Sequence, residues 1–217
     1  MNQIFAPGCA LMLYKPELAA KMHIYLRENI NNIGLISTCC KHIPDVAAFT
    51  EVINVCPGCQ KRFNNDYPFT RGISFWEILD MDNNFPFPDY NGEEMTILDA
   101  CPTRNEVNIH SAIRSVLVKM NIKLIEPGKT GNHGICCGDS FYGLIPVDNV
   151  IEQMEKRADE MPSTNVIVYC ISCIKAMKLG GKNPRFLGDL IFNEITYPGQ
   201  CDPDIWHKEI DEYIAVH

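Results

Sequence analysis

The sequence predicts an α/β protein of two similar Rossmann-like halves produced by an internal duplication, with cysteines at the carboxyl ends of the strands. Three observations predict it: a repeated order of cysteines, short β-prone runs that end at cysteines, and amphipathic helical segments that follow them. The cysteines are Cys9, Cys39, Cys40, Cys56, Cys59, Cys101, Cys136, Cys137, Cys170, Cys173 and Cys201. The first ten form two sets of five, each running single cysteine, adjacent pair, then Cys-x-x-Cys. Spacers of 29 and 15 residues separate these features in the first set, and 34 and 32 in the second. One order with different loop lengths is what a duplicated unit leaves behind.

The elements follow in the same sequence in both halves. The run Gln3-Ile4-Phe5 precedes Cys9, and Thr96-Ile97-Leu98-Asp99 precedes Cys101. Pro16 can then start a helix on which Leu18, Met22, Tyr25, Leu26 and Ile30 share a face, as Ile109, Ile113, Val116, Leu117 and Met120 do in the second half. Strand candidates Gly34–Ser37 and Ile122–Ile125 come next and lead to the cysteine pairs. Val52–Val55 and Val166–Tyr169 then run directly into Cys56 and Cys170. Further helical stretches are expected over Ser74–Met81, Phe186–Asn193 and Ile205–Val216. Alternating strands and helices imply open parallel sheets, whose ligand sites form beyond the carboxyl ends of the strands. The turn-rich segment Asp82–Glu94 marks the boundary, giving expected domains 1–82 (shortened) and 95–195 with a tail 196–217.

Composition limits the function classes. With 217 residues, 46% hydrophobic and 21% charged, the chain can bury a core and is not of the disordered type. Its net charge of −8 excludes nucleic acid and anionic membrane as favoured partners. No run approaches the roughly 20 apolar residues of a membrane span. The N-terminal residues show neither the basic region nor the apolar core of a secretion signal, so a cytoplasmic protein is expected. Eleven cysteines in a reducing compartment point to metal or redox chemistry and not to a disulfide framework.

Thiolate is the soft ligand of iron–sulfur clusters, zinc and copper(I), and a Cys-x-x-Cys turn directs two sulfurs at one centre. A tetrahedral zinc ion needs four ligands, whereas each set supplies five, including an adjacent pair whose side chains diverge. The surplus favours a polynuclear centre. The residues alone leave three readings open: iron–sulfur clusters, a zinc-stabilised interaction module without catalysis, and a thiol-disulfide oxidoreductase using either Cys-x-x-Cys. The last leaves six of the ten patterned cysteines unexplained.

The order Cys9, Cys39-Cys40, Cys56-Pro57-Gly58-Cys59, then Cys101, Cys136-Cys137-Gly138, Cys170-Ile171-Ser172-Cys173 resembles the tandem cysteine-rich, or CCG, domains in the CCG-domain subunit of heterodisulfide reductase. The resemblance spans about residues 1–195. It implies one noncubane [4Fe-4S] cluster per set, ligated by Cys9, Cys39, Cys40, Cys56 and Cys59 in the first and by Cys101, Cys136, Cys137, Cys170 and Cys173 in the second. It further implies electron exchange with an iron–sulfur or flavoprotein subunit, and a disulfide or thiol substrate. Relatives with this domain serve several oxidoreductase systems, so the domain alone does not fix the substrate. Two departures fall in the first half: Lys41 stands where the motif has glycine, and the 15-residue spacer implies a missing helix. The first site is therefore open to a noncubane cluster, a conventional cluster or zinc.

Other residues carry weaker signals. His133, three residues before Cys136, is a candidate proton donor to a leaving thiolate, although a loop histidine is more often simply solvated. Lys41, His42 and Lys175 lie beside cysteines and could offset cluster charge or merely solvate the surface. Arg104 suits either an anionic substrate or the end of the sheet. Cys201 has no counterpart in the repeat, and Phe75 and Trp76 read as core.

Overall fold

The computed structural model describes residues 2–30, 32–38, 45–67 and 69–217. Cys39, Cys40, Lys41 and His42 lie outside the described residues. Two compact units are present: Met1–Phe75 with Lys208–His217, and Trp76–His207.

The first unit contains strands β1 (Gln3–Ala6), β2 (Gly34–Leu35), β3 (Glu51–Asn54) and β4 (Arg71–Ser74) in the order β2-β1-β3-β4, all parallel. Its helices are α1 (Cys9–Tyr14), α2 (Pro16–Asn29) and α3 (Pro57–Asp66). Helix α2 begins at a proline, whose fixed φ and missing N–H suit a first helical position. Leu18, Met22 and Leu26 on its predicted face are fully buried. Residues 45–50 carry a turn and no helix, so these described residues of the short spacer lack the helix that the second unit has.

The second unit repeats the plan. Strands β5 (Glu94–Leu98), β6 (Lys123–Ile125), β7 (Asn165–Val168) and β8 (Asn183–Phe186) lie in the order β6-β5-β7-β8, again all parallel. The expected fold class, an α/β protein of two similar open parallel sheets, is what the structure has. Helices α5 (Val107–Lys119), α6 (Val147–Asp159), α7 (Ile171–Leu179) and α8 (Leu187–Ile191) accompany the sheet, with α6 packed on α7. Ile113, Val116 and Leu117 of α5 are fully buried, each worth roughly 1.5–3 kcal/mol of apolar burial.

Two helices span the division between units. Helix α4 (Phe75–Met81) carries Phe75, which packs on Phe5 and Tyr25, and Trp76, which meets Phe186 edge-on. Both aromatic side chains are core residues. Helix α9 (Pro203–Val216) belongs to the second unit up to His207 and to the first from Lys208. This division differs from the boundary expected in Asp82–Glu94 and from a separate tail 196–217. The tail is tied down by burial of Trp206 and by Thr196, whose hydroxyl donates to Asp189 at 2.9 Å.

Candidate functional site

In the second unit, separate backbone segments bring sulfur together. Cys101 follows β5 and opens a short 3-10 turn (Cys101–Thr103), Cys136 and Cys137 lie in the loop before Asp139–Phe141, and Cys170 and Cys173 sit at the start of α7. Cys170 is the N-cap of α7, and the Cys173 N–H donates to its carbonyl at 3.1 Å, so the Cys-x-x-Cys is the first turn of a helix. Cys137 and Cys173 are buried, while Cys101, Cys136 and Cys170 are half-buried.

The thiols interact with one another. Their sulfurs lie close enough to shift one another's ionisation, Cys136 acting on Cys101 and Cys137, and Cys173 on Cys137. The Cys136 sulfur also accepts the Ser140 hydroxyl at 2.8 Å and the Gly138 N–H at 3.3 Å. The neighbouring Cys101 and Cys137 thiols hold Cys136 well below the usual thiol range; burial opposes this, and Ser140 and Gly138 reinforce it. The neighbouring thiols shift the other way. Cys101 is pushed up by the nearby Cys136 and by burial, Cys137 chiefly by the nearby Cys136, and Cys173 by Cys137 and Cys170 beside it.

The turn after the pair requires glycine. Gly138 has φ +114°, and a Cβ there would lie 2.6 Å from Met154 Cγ and 2.9 Å from the Met154 backbone nitrogen. Beside Cys136 is a cavity of about 370 Å³, lined also by Ile135, Phe141, Lys129, Lys156 and Arg157. Both lysines are ion-paired: Lys129 with Glu160 at 2.6 Å and Lys156 with Glu152 at 2.8 Å.

A buried carboxylate lies behind the sulfurs. Asp99, two residues before Cys101, accepts a bidentate pair from Arg114 at 2.8 and 2.7 Å, the Thr130 hydroxyl at 2.8 Å, the Gly131 N–H at 2.7 Å and the Tyr169 hydroxyl at 3.0 Å. Burial alone would raise Asp99, but the Arg114 hydrogen bonds and charge, with Gly131 and Thr130, hold it well below the carboxylate range. The Thr103 hydroxyl bonds with the Tyr169 hydroxyl at 2.8 Å and with His110 Nε2 at 3.2 Å. None of Asp99, Arg114 or Tyr169 stands out in the sequence as part of a site. The available signal is a carboxylate directly after the apolar end of a strand, Ile97-Leu98, and just before a cysteine.

The remaining candidates resolve individually. Arg104 Nε donates to the Gly134 carbonyl at 3.1 Å, tying down the loop that carries His133. His133 itself is exposed in a 3-10 turn (Gly131–His133) and takes no part in the sulfur hydrogen bonds described above. Lys175 is buried, not surface-solvated: its ammonium donates to the Pro198 and Gln200 carbonyls at 2.5 and 2.9 Å and lies 4.8 Å above the Trp206 ring. The Cys201 thiol donates to the Gly199 carbonyl at 3.4 Å.

In the first unit, Cys9 opens α1, Cys56 is the N-cap of α3 and Cys59 lies in that helix's first turn. Cys59 packs with Ala6, Val52 and Phe63 in the core, and Cys56 packs against that cluster. Gly8, at φ +92°, allows the turn before Cys9 to meet the Cys-x-x-Cys turn, since a Cβ there would lie 2.9 Å from Cys56 Cβ and 3.0 Å from Cys59 Sγ. Tyr213 of α9 feels the charge of Cys9, after burial the second influence raising its hydroxyl. Among the described residues, no group of three or more His, Cys, Asp or Glu side chains is disposed to hold a metal ion. No helix of the described residues is long and apolar enough to cross a membrane.

No protein-family model matches the chain, and no curated protein matches it. Among solved structures it is similar to the Picrophilus torridus aspartate racemase, at 9% identity over 98% of each chain with a TM-score of 0.34. That likeness carries no argument about this chain.

Proposed function

We infer that the chain is an iron–sulfur redox protein resembling the CCG-domain subunit of heterodisulfide reductase, with the second cysteine set holding a [4Fe-4S] cluster of the noncubane kind. The observation that carries this reading is the approach of Cys101, Cys136, Cys137, Cys170 and Cys173, carried on separate segments, close enough for their sulfurs to act on one another electrostatically. The donor set suits such a group in number and softness, not in the present disposition of its side chains: five soft sulfurs exceed the four of a tetrahedral ion, and the adjacent pair suits a centre with more than one metal atom. When bound, the cluster supplies one-electron redox chemistry.

The chain's residues do the rest. Gly138 N–H and Ser140 O–H direct positive dipoles at the Cys136 sulfur, which favours extra negative charge there and raises the reduction potential of whatever it ligates. The start of α7 offers its N-terminal dipole to Cys170 and Cys173. The cavity beside Cys136 gives a small sulfur compound access to the site, so reduction of a disulfide substrate is the reaction this reading favours, with His133 as candidate proton donor. Electrons are exchanged with a separate iron–sulfur or flavoprotein subunit, and the setting is cytoplasmic. The first set, Cys9, Cys39, Cys40, Cys56 and Cys59, holds a second cluster or zinc.

Anaerobic purification with iron and acid-labile sulfide analysis and EPR tests the reading. The expected result is brown protein with about four iron and four sulfide per occupied set. Colourless protein with stoichiometric zinc, or with no metal, overturns it.

A further inference from the structure

The geometry points to Asp99 as the positioning residue of the second sulfur set, a single carboxylate that fixes the mutual register of the segments carrying its cysteines. This inference rests on the reading of that set as a metal centre. Asp99 receives donors from three places besides its own strand end: Arg114 on α5, Thr130 and Gly131 in the loop that leads to Cys136, and Tyr169 immediately before Cys170. Its own backbone leads to Cys101. One side chain, 1% exposed, is thus hydrogen-bonded to the approach of every cysteine-bearing segment of the set. Thr103 closes the arrangement by joining the Cys101 turn to the Tyr169 hydroxyl.

The distribution of these bonds argues for positioning and not only for stability. A bidentate Arg–carboxylate pair would by itself fix α5 to β5. The remaining three donors are directed at Asp99 from the two loops that must place sulfur, and a carboxylate, with about four lone-pair sites, is the side chain that can accept them together. An amide in the same place has one acceptor oxygen and turns an NH2 group toward donors. Asp99→Asn therefore keeps the shape and loses the shared acceptor. Partners of this kind behind metal ligands change affinity by roughly 10- to 100-fold when removed.

The test uses the full chain with Cys56→Ser and Cys59→Ser to silence the first set, and cobalt(II) added anaerobically as the probe. Thiolate-to-cobalt absorption reports how tightly, and through how many sulfurs, the second set binds. Asp99→Asn is expected to keep its far-UV circular dichroism while its cobalt affinity falls by about tenfold or more and fewer thiolates bind per ion. A purely stabilising residue would lower the melting temperature and leave the band of the folded protein unchanged, and that result would overturn the inference. Should Asp99→Asn not fold, Tyr169→Phe and Thr130→Val each remove one donor and leave the carboxylate. Each is expected to weaken cobalt binding, and unaltered binding in both overturns the inference. Failure of the unaltered chain to take up iron and sulfide sinks the cluster reading instead, a separate result.

Discussion

At the scale of single residues, the site depends on positions with little latitude. Gly138 combines a left-handed backbone with contact against Met154, so Gly138→Ala is strained in both respects. It should destabilise the second unit by about 1–3 kcal/mol and reduce metal content, read by thermal denaturation and metal analysis. Asp99 gives a pH dependence whose sign is fixed by its environment. Its folded pKa lies below the unfolded value of about 4. The stability it contributes is complete above that value and is lost as pH falls below it toward the folded pKa. Acid titration followed by circular dichroism should show second-unit loss beginning below about pH 4, and Asp99→Asn should flatten that part of the curve. The cysteines are legible in sequence because their order repeats. Asp99 is not, because a carboxylate acquires meaning only when a fold gathers Arg114, Thr130, Gly131 and Tyr169 around it.

At the scale of elements, what can be read follows burial. The faces of α2 and α5 are legible because Leu18, Met22 and Leu26, and Ile113, Val116 and Leu117, recur at helical spacing and are buried. The edge strands β4 and β8 escape a reading of the sequence. They run Arg-Gly-Ile-Ser and Asn-Pro-Arg-Phe, and an edge position tolerates the polar residues and the proline that disguise them. Helix α6 is implied only by the length of the second spacer and its bounds escape the sequence, although Val150, Met154 and Ala158 lie on one buried face, because its remaining positions are dominated by charge. The terminal helix is visible in the sequence but its anchoring is not: Trp206 donates its indole N–H to Ser172 at 3.1 Å and lies under the Lys175 ammonium. Trp206→Ala should cost roughly 3–5 kcal/mol and expose residues 198–207 to limited proteolysis. Unchanged cleavage would show that α9 is held by other contacts.

At the scale of the whole molecule, the duplication survives in topology. Both sheets adopt one strand order, and Cys9 with Cys101, and Cys56 with Cys170, follow corresponding strands. The two halves differ between pair and Cys-x-x-Cys, where α6 precedes β7 in the second unit and residues 45–50 before β3 in the first carry only a turn. The sites should therefore load separately. Cys137→Ser is expected to remove the second set's EPR signal and iron while leaving first-unit metal in place, and loss of all metal would show the halves to be interdependent. The central claim is that the five sulfurs of the second unit hold several iron atoms together. Iron-edge X-ray absorption on the anaerobic Cys56→Ser, Cys59→Ser chain tests it most directly: iron–iron scattering inside a sulfur shell is predicted, and a lone metal with sulfur neighbours and no metal–metal scattering would contradict it.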